Sequence, residues 1–392
     1  MRAAIDRVAD LPRTQGQAAA LTALVACATG LLNWGLSLIV GALFARQVGA
    51  RCRARGVRIH YPLVVAAGYT GLLVWHGGLS GSAPLKVTSA ADVKAVVADA
   101  GTIAAVGSFV ARAVPGAPAD GAIPTTLTLF RPANLAVSVL LLAVVPALLA
   151  LMGPRRPEDA REIDEAVAKA ALDAPQPPAG DDTPAARLEG SRLLAWGLVA
   201  LGVAHFGERL LDDARRPLDL DTINLAFFLV GLALHGSLRS YGRAVGEAIE
   251  GTAGILVQFP LYFGMVGLMK ASGFVAAVSG GLVGLAGGSG ALYLVLTFLV
   301  AGVVSVFVPS GGGQWAVQGS VVLHGAVVVG ADPGLAVLAL AWGDQWANML
   351  QPFWALPLLG LCGVRAGEIM GYTILLMLLV TPVFVLPLLV AG

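Results

Sequence analysis

The chain has 392 residues, of which 57% are hydrophobic and only 12% are charged, and its mean hydropathy is +0.80. Soluble domains carry roughly twice that charged fraction, so the composition excludes an ordinary soluble domain and indicates an all-α polytopic membrane protein in a lipid bilayer. A net charge of +1 gives no reason to expect a nucleic-acid partner. Cys27, Cys52 and Cys362 lie far apart, which predicts packing residues rather than a disulfide or metal framework.

Arginines flank the first apolar segment, 18–45, on both sides. The positive-inside rule places both flanks in the cytoplasm, so the segment must turn back within the membrane. Its middle holds Asn33, Trp34 and Gly35, where a polar side chain and a glycine interrupt the apolar run. This pattern predicts a re-entrant hairpin. The alternative is one straight spanning helix in which Asn33 makes an interhelical hydrogen bond.

The next apolar run, 59–85, is interrupted from His76 onward by three glycines, two serines and a proline. Such a composition unwinds a helix, which predicts a discontinuous transmembrane helix with Ser80, Gly81 and Ser82 at its break. His76 is either a proton carrier or a structural hydrogen-bonding group. A lone histidine is usually structural, although ionisable groups inside membranes are often functional.

The middle of the chain alternates polar and apolar stretches. Residues 86–131 carry few basic side chains and are expected on the outer face. A span at 133–152 then ends at arginines, and the polar, proline-rich stretch 153–190 predicts a cytoplasmic linker without chemistry. Three further spans are predicted at 192–211, 222–239 and 251–270. Gln258, in the last of them, lies either on the transport path or at a packing position.

A second re-entrant hairpin is predicted at 291–330, around a glycine-rich break in the apolar run. Proline followed by glycines does not continue a helix. Broken backbone at membrane depth is tolerated only where it is buried in protein or lines a polar cavity, so a binding site is expected here. The alternative is an extramembrane loop between two short helices. The residues of the break are Ser310, Gly311, Gly312, Gly313, Gln314 and Trp315.

A second discontinuous helix is predicted at 335–362, before a final span at 369–390. Asp344, Asn348 and Gln351 are spaced so that they share one face of a continuous helix. An unpaired acid at membrane depth is expensive, which makes Asp344 a candidate for ion coupling. The alternatives for Asp344 are a structural ion pair and a capped helix end.

Both halves of the chain show a hairpin followed by a broken helix, which predicts two repeats, 1–152 and 191–392. Five predicted crossings separate the hairpins, an odd number, so the repeats have inverted topology, as in many secondary transporters. The amide–Trp–small triplets that begin at Asn33 and Gln314 support the pairing. Sites in such folds lie where hairpin tips and helix breaks converge, and helix amino-termini there suit a carboxylate.

At these residues the sequence resembles the bacterial short-chain fatty acid transporters. The resemblance implies uptake of acetoacetate, butyrate and similar monocarboxylates across the inner membrane. Members of that family begin with further hydrophobic segments, so their first N-terminal helices are expected to be missing from this chain. The stretches that carry the resemblance are 33–35, 40–42, 45–46, 77–78, 80–82, 252–260, 308–313 and 351–357.

A multi-pass symporter of the bacterial inner membrane, working by alternating access, is therefore expected. H+ or Na+ would drive it, with Asp344 and His76 as the ion-coupling candidates and no cofactor. Backbone amides at both breaks would bind the carboxylate, and Trp34 and Trp315 would cover its alkyl tail. Side-chain hydrogen bonds to the substrate would come from Asn33, Gln314, Asn348 and Gln351.

Three other functional classes compete with this interpretation. A carrier of another organic anion, such as a dicarboxylate, would need a second cationic or amide cluster. A passive anion channel is less suited to broken helices in inverted repeats. An enzyme is not expected, since the sequence has no HExxH or GxSxG motif. Assembly into a homo-oligomer is left open.

Overall fold

The computed structural model describes residues 2–154, 156–173, 183–212, 220–250, 271–351 and 353–391, together with four short stretches between 256 and 268. Over these residues the regular structure is helical, with no β-strand. The chain forms two units, Met1–Asp173 with Pro260–Gly392, and Ala174–Phe259. Within the described residues, five helices are long and apolar enough to cross a membrane: Gln15–Leu32, Tyr61–Lys86 with its internal breaks, Pro132–Leu151, Gly290–Phe307 and Ala366–Ala391. The prediction of an all-α membrane protein is therefore confirmed.

The first hairpin consists of two packed helices, Gln15–Leu32 and Trp34–Ala54. Asn33 between them is extended, and its Oδ1 accepts a hydrogen bond from the Leu36 amide at 2.9 Å, which caps the second helix. Across the two arms, the Ser37 hydroxyl donates to the Ala26 carbonyl at 2.8 Å. The chain thus reverses at Asn33, and the alternative of one straight helix is wrong. Residues 31–35 are called tip one.

The second hairpin repeats this local design with helices Gly290–Phe307 and Gly311–Val329. Ser310 is extended and its hydroxyl accepts from the Gly313 amide at 3.3 Å, which caps the second arm. The side-chain amide of Gln314 donates across the arms to the Ala301 carbonyl at 2.7 Å. Residues 308–313 are called tip two.

The residues that are equivalent in the two hairpins differ from the pair Asn33 and Gln314 that the sequence suggests. Asn33 and Ser310 are the two capping residues, and four residues later Ser37 and Gln314 tie the arms together. Gln314 lies inside an arm rather than at a tip. The resemblance between the triplets at Asn33 and Gln314 is thus a coincidence of residue types.

The first broken helix leaves the α-conformation earlier than predicted. Its regular part, Tyr61–Tyr69, gives way to 3-10 turns at Thr70–Leu73 and Trp75–Gly77, and a short helix, Ser82–Lys86, follows. A Cβ on Gly71 would lie 1.7 Å from Ser37 Oγ and 2.4 Å from the Ala26 carbonyl oxygen. The chain passes this close to the first hairpin only because residue 71 has no side chain.

The second broken helix runs Pro333–Ala347 and resumes at Leu356–Cys362. The first part ends at Ala347, so the predicted helical face shared by Asp344, Asn348 and Gln351 does not exist. The helix ends early because Asn348 and Gln351 are held by other parts of the molecule, as described for the site below.

The segments on either side of Pro132–Leu151 contact different parts of the same unit. Before it, Thr102 Oγ1 lies 2.9 Å from His324 Nδ1, and Arg131 forms a 2.6 Å ion pair with Asp332. Hydrogen bonds from the Thr102 hydroxyl and amide also hold the pKa of Asp99 below its ordinary value. The early segment is thereby fastened near the far end of the second hairpin.

After Pro132–Leu151, the Arg161 carbonyl accepts from the Tyr61 amide at 2.8 Å, and the Ile163 carbonyl accepts from the Arg53 guanidinium at 2.8 Å. Ile163 is buried, and so are two alanines of the following helix, Glu165–Leu172. The predicted linker 153–190 is therefore a packed segment over its first part, up to residue 173. Its next residues, 174–182, lie outside the described part of the chain.

The unit Ala174–Phe259 contains helices Arg192–Asp212, Leu220–His235 and Leu238–Glu250. The chain bends by 114° between Asp221–His235 and Leu238–Gly246, so the end of the predicted span 222–239 belongs to a second helix. Most of the predicted span 251–270, with Gln258, lies outside the described residues. Other short helices in the described part of the chain are Arg2–Ala9, Ala90–Val96, Ala100–Ala113, Pro184–Glu189 and Phe274–Ala286.

Candidate substrate and coupling site

A buried acid cluster of His76, Ser305 and Asp344 joins three elements. His76 lies in the first broken helix, Ser305 in the second hairpin and Asp344 in the second broken helix. His76 Nδ1 is 2.8 Å from Asp344 Oδ2, and the Ser305 hydroxyl donates to Asp344 Oδ1 at 2.6 Å. His76 is 0% and Asp344 2% exposed. Asp344 is therefore paired, and the geometry alone fits both a structural ion pair and ion coupling.

The backbone defines the protonation pattern of the imidazole. His76 Nε2 accepts the Ala83 amide N–H at 2.9 Å, so it is the unprotonated ring nitrogen. A neutral His76 then carries its hydrogen on Nδ1, on the side of Asp344. Trp75 stacks on the ring with centroids 4.3 Å apart. The imidazole is thus held in one orientation.

Tip two passes directly against this cluster. A Cβ on Gly311 would lie 2.9 Å from His76 Cε1 and 3.2 Å from Asp344 Oδ2, so any larger residue would disturb the pair. Gly311 and Gly312 begin a helix, and their amides therefore have no intrahelical acceptor. Amides of this kind carry partial positive charge and bind anions.

Tip one is held by the first broken helix. The Trp34 amide donates to Ser80 Oγ at 3.0 Å, and the Leu79 amide donates to the Leu31 carbonyl at 2.8 Å. A Cβ on Gly78 would lie 2.3 Å from that carbonyl oxygen. The structure thus brings the predicted residues of tip one to the predicted break around Ser80, Gly81 and Ser82.

One side chain connects the two tips. The Trp354 ring meets the Trp34 ring edge to face, with centroids 4.8 Å apart. Its Nε1–H donates to the Pro309 carbonyl in tip two at 2.9 Å. Trp354 lies in the stretch 351–357, which carries the family resemblance, but the sequence predicts no role for it. A tryptophan directly after a predicted helix break was the available signal.

Two polar residues that are not predicted as site residues stabilise the non-helical backbone of the first break. Gln345 Oε1 accepts from the amides of His76 and Gly77 at 3.0 and 3.1 Å. Asn134 donates to the Gly77 carbonyl at 2.8 Å and accepts from Trp342 Nε1 at 3.0 Å. Both are polar side chains within apolar helices, a pattern that is visible in the sequence. These bonds satisfy backbone groups that the break would otherwise leave unpaired.

Asn348 and Gln351 support broken backbone rather than converge on one point. Asn348 Nδ2 donates to the Leu72 carbonyl at 3.4 Å, and Gln351 Nε2 donates to the Val306 carbonyl at 3.1 Å. The second break therefore stabilises both the first broken helix and the end of the arm before tip two.

The two remaining predicted residues lie apart from the tips. Gln314 is buried and bonded to Gln318 at 2.9 Å, within the second hairpin. Trp315 is 1% exposed and packs against its own helix at Gly319. Trp315 therefore does not form a pair with Trp34, which contacts Trp354 instead.

The part of the sequence around tip two contains few charged residues. The sequence has no lysine or arginine between Lys270 and Arg365, a region that contains tip two, Ser305 and Asp344. Within the described residues, no group of three or more His, Cys, Asp and Glu could hold a metal ion. The Asp344 carboxylate thus has the Ser305 hydroxyl as a hydrogen-bond donor and His76 as its ionisable neighbour.

These features, two helical hairpins with capped tips and broken helices in an apolar bundle, are typical of membrane transporters. The family model for short chain fatty acid transporters matches residues 1–391. The chain therefore belongs to the short-chain fatty acid transporter family, a family of multi-pass membrane transporters and not of enzymes. The resemblance seen in the sequence is confirmed.

Two curated relatives agree with this assignment. A protein of Escherichia coli strain K12 is 37% identical over 365 residues, covering 92% of this chain and 75% of that protein. A protein of Haemophilus influenzae Rd is 33% identical over 391 residues, covering 98% of this chain and 81% of that protein. Both carry the provisional name of short-chain fatty acid transporter. Among solved structures, the YdaH transporter of Alcanivorax borkumensis is similar with a TM-score of 0.46 and 16% identity, covering 98% of this chain and 83% of that chain.

Proposed function

We propose that this protein carries short-chain monocarboxylates, such as acetoacetate and butyrate, across the bacterial cytoplasmic membrane by cation-coupled symport with alternating access. The observation that carries the proposal is the position of tip two, where Gly311, at a helix start whose first amides have no intrahelical acceptor, lies against the buried acid cluster. This arrangement offers one anion-binding end next to one ionisable pair. A single carboxylate and a single coupling ion match it.

The substrate would bind between the two tips. The amides of Gly311 and Gly312 would hold the carboxylate, and the half-buried rings of Trp34 and Trp354 would cover the short alkyl tail. Trp354 takes the place that the sequence analysis gave to Trp315. Ser80 would position tip one through its bond to the Trp34 amide.

An inverted arrangement of the repeats supports alternating access. Residues 86–131 contact His324 and Asp332, near the far end of the second hairpin, whereas 156–172 contact Arg53, near the far end of the first. The helix between these segments has 20 residues and is therefore about 30 Å long, the thickness of a hydrocarbon core. We infer that the hairpins enter the membrane from opposite sides, as inverted repeats require.

A dicarboxylate carrier is the second candidate, and the charge distribution disfavours it. A second carboxylate would need another cationic or amide anchor, and the sequence from 271 to 364, which contains tip two, has no lysine or arginine. The lack of a cationic anchor beside tip two therefore favours a substrate with one charge.

Uptake by proteoliposomes tests the substrate class. Labelled butyrate would be supplied with a tenfold excess of unlabelled acetoacetate, propionate, hexanoate or succinate, and protein-free liposomes would give the background. Acetoacetate and propionate should compete, whereas succinate should not. Competition by succinate alone would replace the monocarboxylate assignment with the dicarboxylate one, and an absence of protein-dependent uptake of any acid would reject both.

A further inference from the structure

The atoms around Asp344 also bear on the identity of the coupling ion. Resting on the proposed transport function, we propose that this ion is a proton, carried by Asp344, and that His76 and Ser305 position the carboxyl group in both of its charge states. All three side chains are buried, at 2% exposure or less. Among the described residues, His76 is an ionisable group in contact with Asp344, with Nδ1 2.8 Å from Oδ2.

The imidazole favours Asp344 as the proton-accepting group. His76 Nε2 accepts the Ala83 amide, and its Nδ1 faces Asp344 Oδ2 at 2.8 Å. A second proton on Nε2 would break the bond to Ala83 and leave a buried amide unpaired, which is costly. The free proton therefore binds the carboxylate, and His76 remains neutral, with its Nδ1 fixed 2.8 Å from Oδ2.

Ser305 accommodates both charge states. In the ionised state its hydroxyl donates to Asp344 Oδ1 at 2.6 Å. A hydroxyl also accepts hydrogen bonds, so after an O–H bond forms on Oδ1 the carboxyl group donates to Ser305 Oγ instead. The proton comes from water on the side of uptake and returns to water on the other side when that O–H bond breaks.

Protonation of Asp344 and binding of the substrate favour each other. Tip two lies against Asp344, so a carboxylate on the Gly311 and Gly312 amides would add a second negative charge close to Asp344. Two like charges repel strongly in a site shielded from water. A proton on Asp344 removes this repulsion, and by reciprocity bound substrate raises the affinity for the proton.

The same atoms are unsuited to a metal cation. Hard cations bind oxygen lone pairs, whereas the Ser305 hydroxyl donates a hydrogen to Asp344 Oδ1 and the imidazole of His76, which offers no oxygen, lies 2.8 Å from Oδ2. A sodium ion at Asp344 would have to displace the Ser305 hydrogen and the imidazole. The arrangement therefore selects a proton.

The test separates exchange from accumulation in proteoliposomes with the Asp344→Asn variant. Asparagine is neutral, like the protonated acid, so the loaded carrier should still exchange labelled for unlabelled substrate across the membrane. Net accumulation needs release of the proton and should be lost. Undissociated butyric acid crosses lipid and accumulates along a pH gradient without protein, so accumulation is scored as the initial rate of uptake above that of protein-free liposomes. With wild-type protein, an inward proton gradient of one pH unit, which can drive about tenfold accumulation for one proton per anion, should raise this protein-dependent rate, and a sodium gradient alone should not. The control is Asp92→Asn, a substitution in a partly exposed ion pair with Lys86.

The outcomes distinguish this inference from the transport function itself. Wild-type accumulation driven by sodium and not by pH would overturn the proton assignment and leave the carrier intact. Full pH-driven accumulation by Asp344→Asn would also overturn it. Loss of exchange in the wild type would instead reject the transport function. If Asp344→Asn does not fold, Ser305→Ala serves in its place. It should lose accumulation while keeping exchange, and equal loss of both would show a merely structural role.

Discussion

At the scale of single residues, the site depends on how little space surrounds Gly311. Its position against Trp75, His76 and Asp344 leaves no room for a methyl group, since a Cβ there would lie 2.7 Å from the Trp75 ring. Several elements of the site therefore depend on one residue that has no side chain. Residue 311 is helical and has no positive φ, so its backbone conformation does not require glycine. Glycine is required because the neighbouring side chains approach so closely.

Gly311→Ala should reduce transport sharply. The methyl group would push tip two away from the acid cluster, and overpacking of this kind costs about 1–3 kcal/mol. A loss of that size in the transition state or bound state corresponds to roughly 5- to 150-fold in transport rate. Initial rates of uptake at equal protein density measure it. Gly371→Ala is the matched control, because a Cβ there meets nothing within 4 Å. Equal rates for both variants would contradict the proposed contact.

At the scale of elements, bare backbone brings the first hairpin and the first broken helix together. A Cβ on Gly41 would lie 2.0 Å from the Gly68 carbonyl oxygen, and one on Gly68 would lie 2.6 Å from the Gly41 carbonyl oxygen. Small residues allow membrane helices to approach closely, and packing rather than a hydrophobic driving force holds them together. Gly41 and Gly68 thus let these two helices pack backbone against backbone.

Gly41→Ala should therefore lower the stability of the protein in detergent by about 1–3 kcal/mol, because the methyl group would meet backbone that has no rotamer to change. The midpoint of thermal unfolding, followed by size-exclusion chromatography, measures the loss. Gly371→Ala again gives the reference, and an unchanged midpoint for Gly41→Ala would show that the two helices can separate without cost.

The elements also show what the sequence could and could not predict. Both hairpins and both breaks were predictable, because polar residues, glycine and proline interrupt apolar runs at Asn33, His76 and Ser310. The end of the second broken helix at Ala347 was not, because it depends on bonds from Asn348 and Gln351 to distant carbonyls. Local periodicity carries no information about such partners.

The candidate site was predictable in its members but not in its contacts. Asp344 and His76 could be singled out as ionisable groups at membrane depth, whereas their contact joins residues that are far apart in the chain. Ser305 stands within an apolar run and gave only a faint signal. The amide–tryptophan pattern at Gln314 was misleading, because the tip is defined by the cap at Ser310, which is a matter of backbone geometry.

At the scale of the whole molecule, the account requires that residues 86–131 and 156–172 lie on opposite sides of the membrane. Single cysteines at the exposed positions Ala95 and Ala170 test this, because the three native cysteines are buried. A membrane-impermeant maleimide should label Ala95→Cys from outside in spheroplasts and Ala170→Cys only in inverted vesicles. Labelling of both from the same side would exclude oppositely entering hairpins.

We propose that this chain is a carrier for short-chain monocarboxylates, with a site between the tips that opens to one side at a time. Counterflow distinguishes such a carrier from a channel. Proteoliposomes preloaded with unlabelled acetoacetate are diluted into a trace of labelled acetoacetate, with no ion gradient imposed. A carrier predicts a transient overshoot of internal label above its equilibrium level, absent from protein-free liposomes. A monotonic rise to equilibrium without overshoot would indicate a channel and contradict the account.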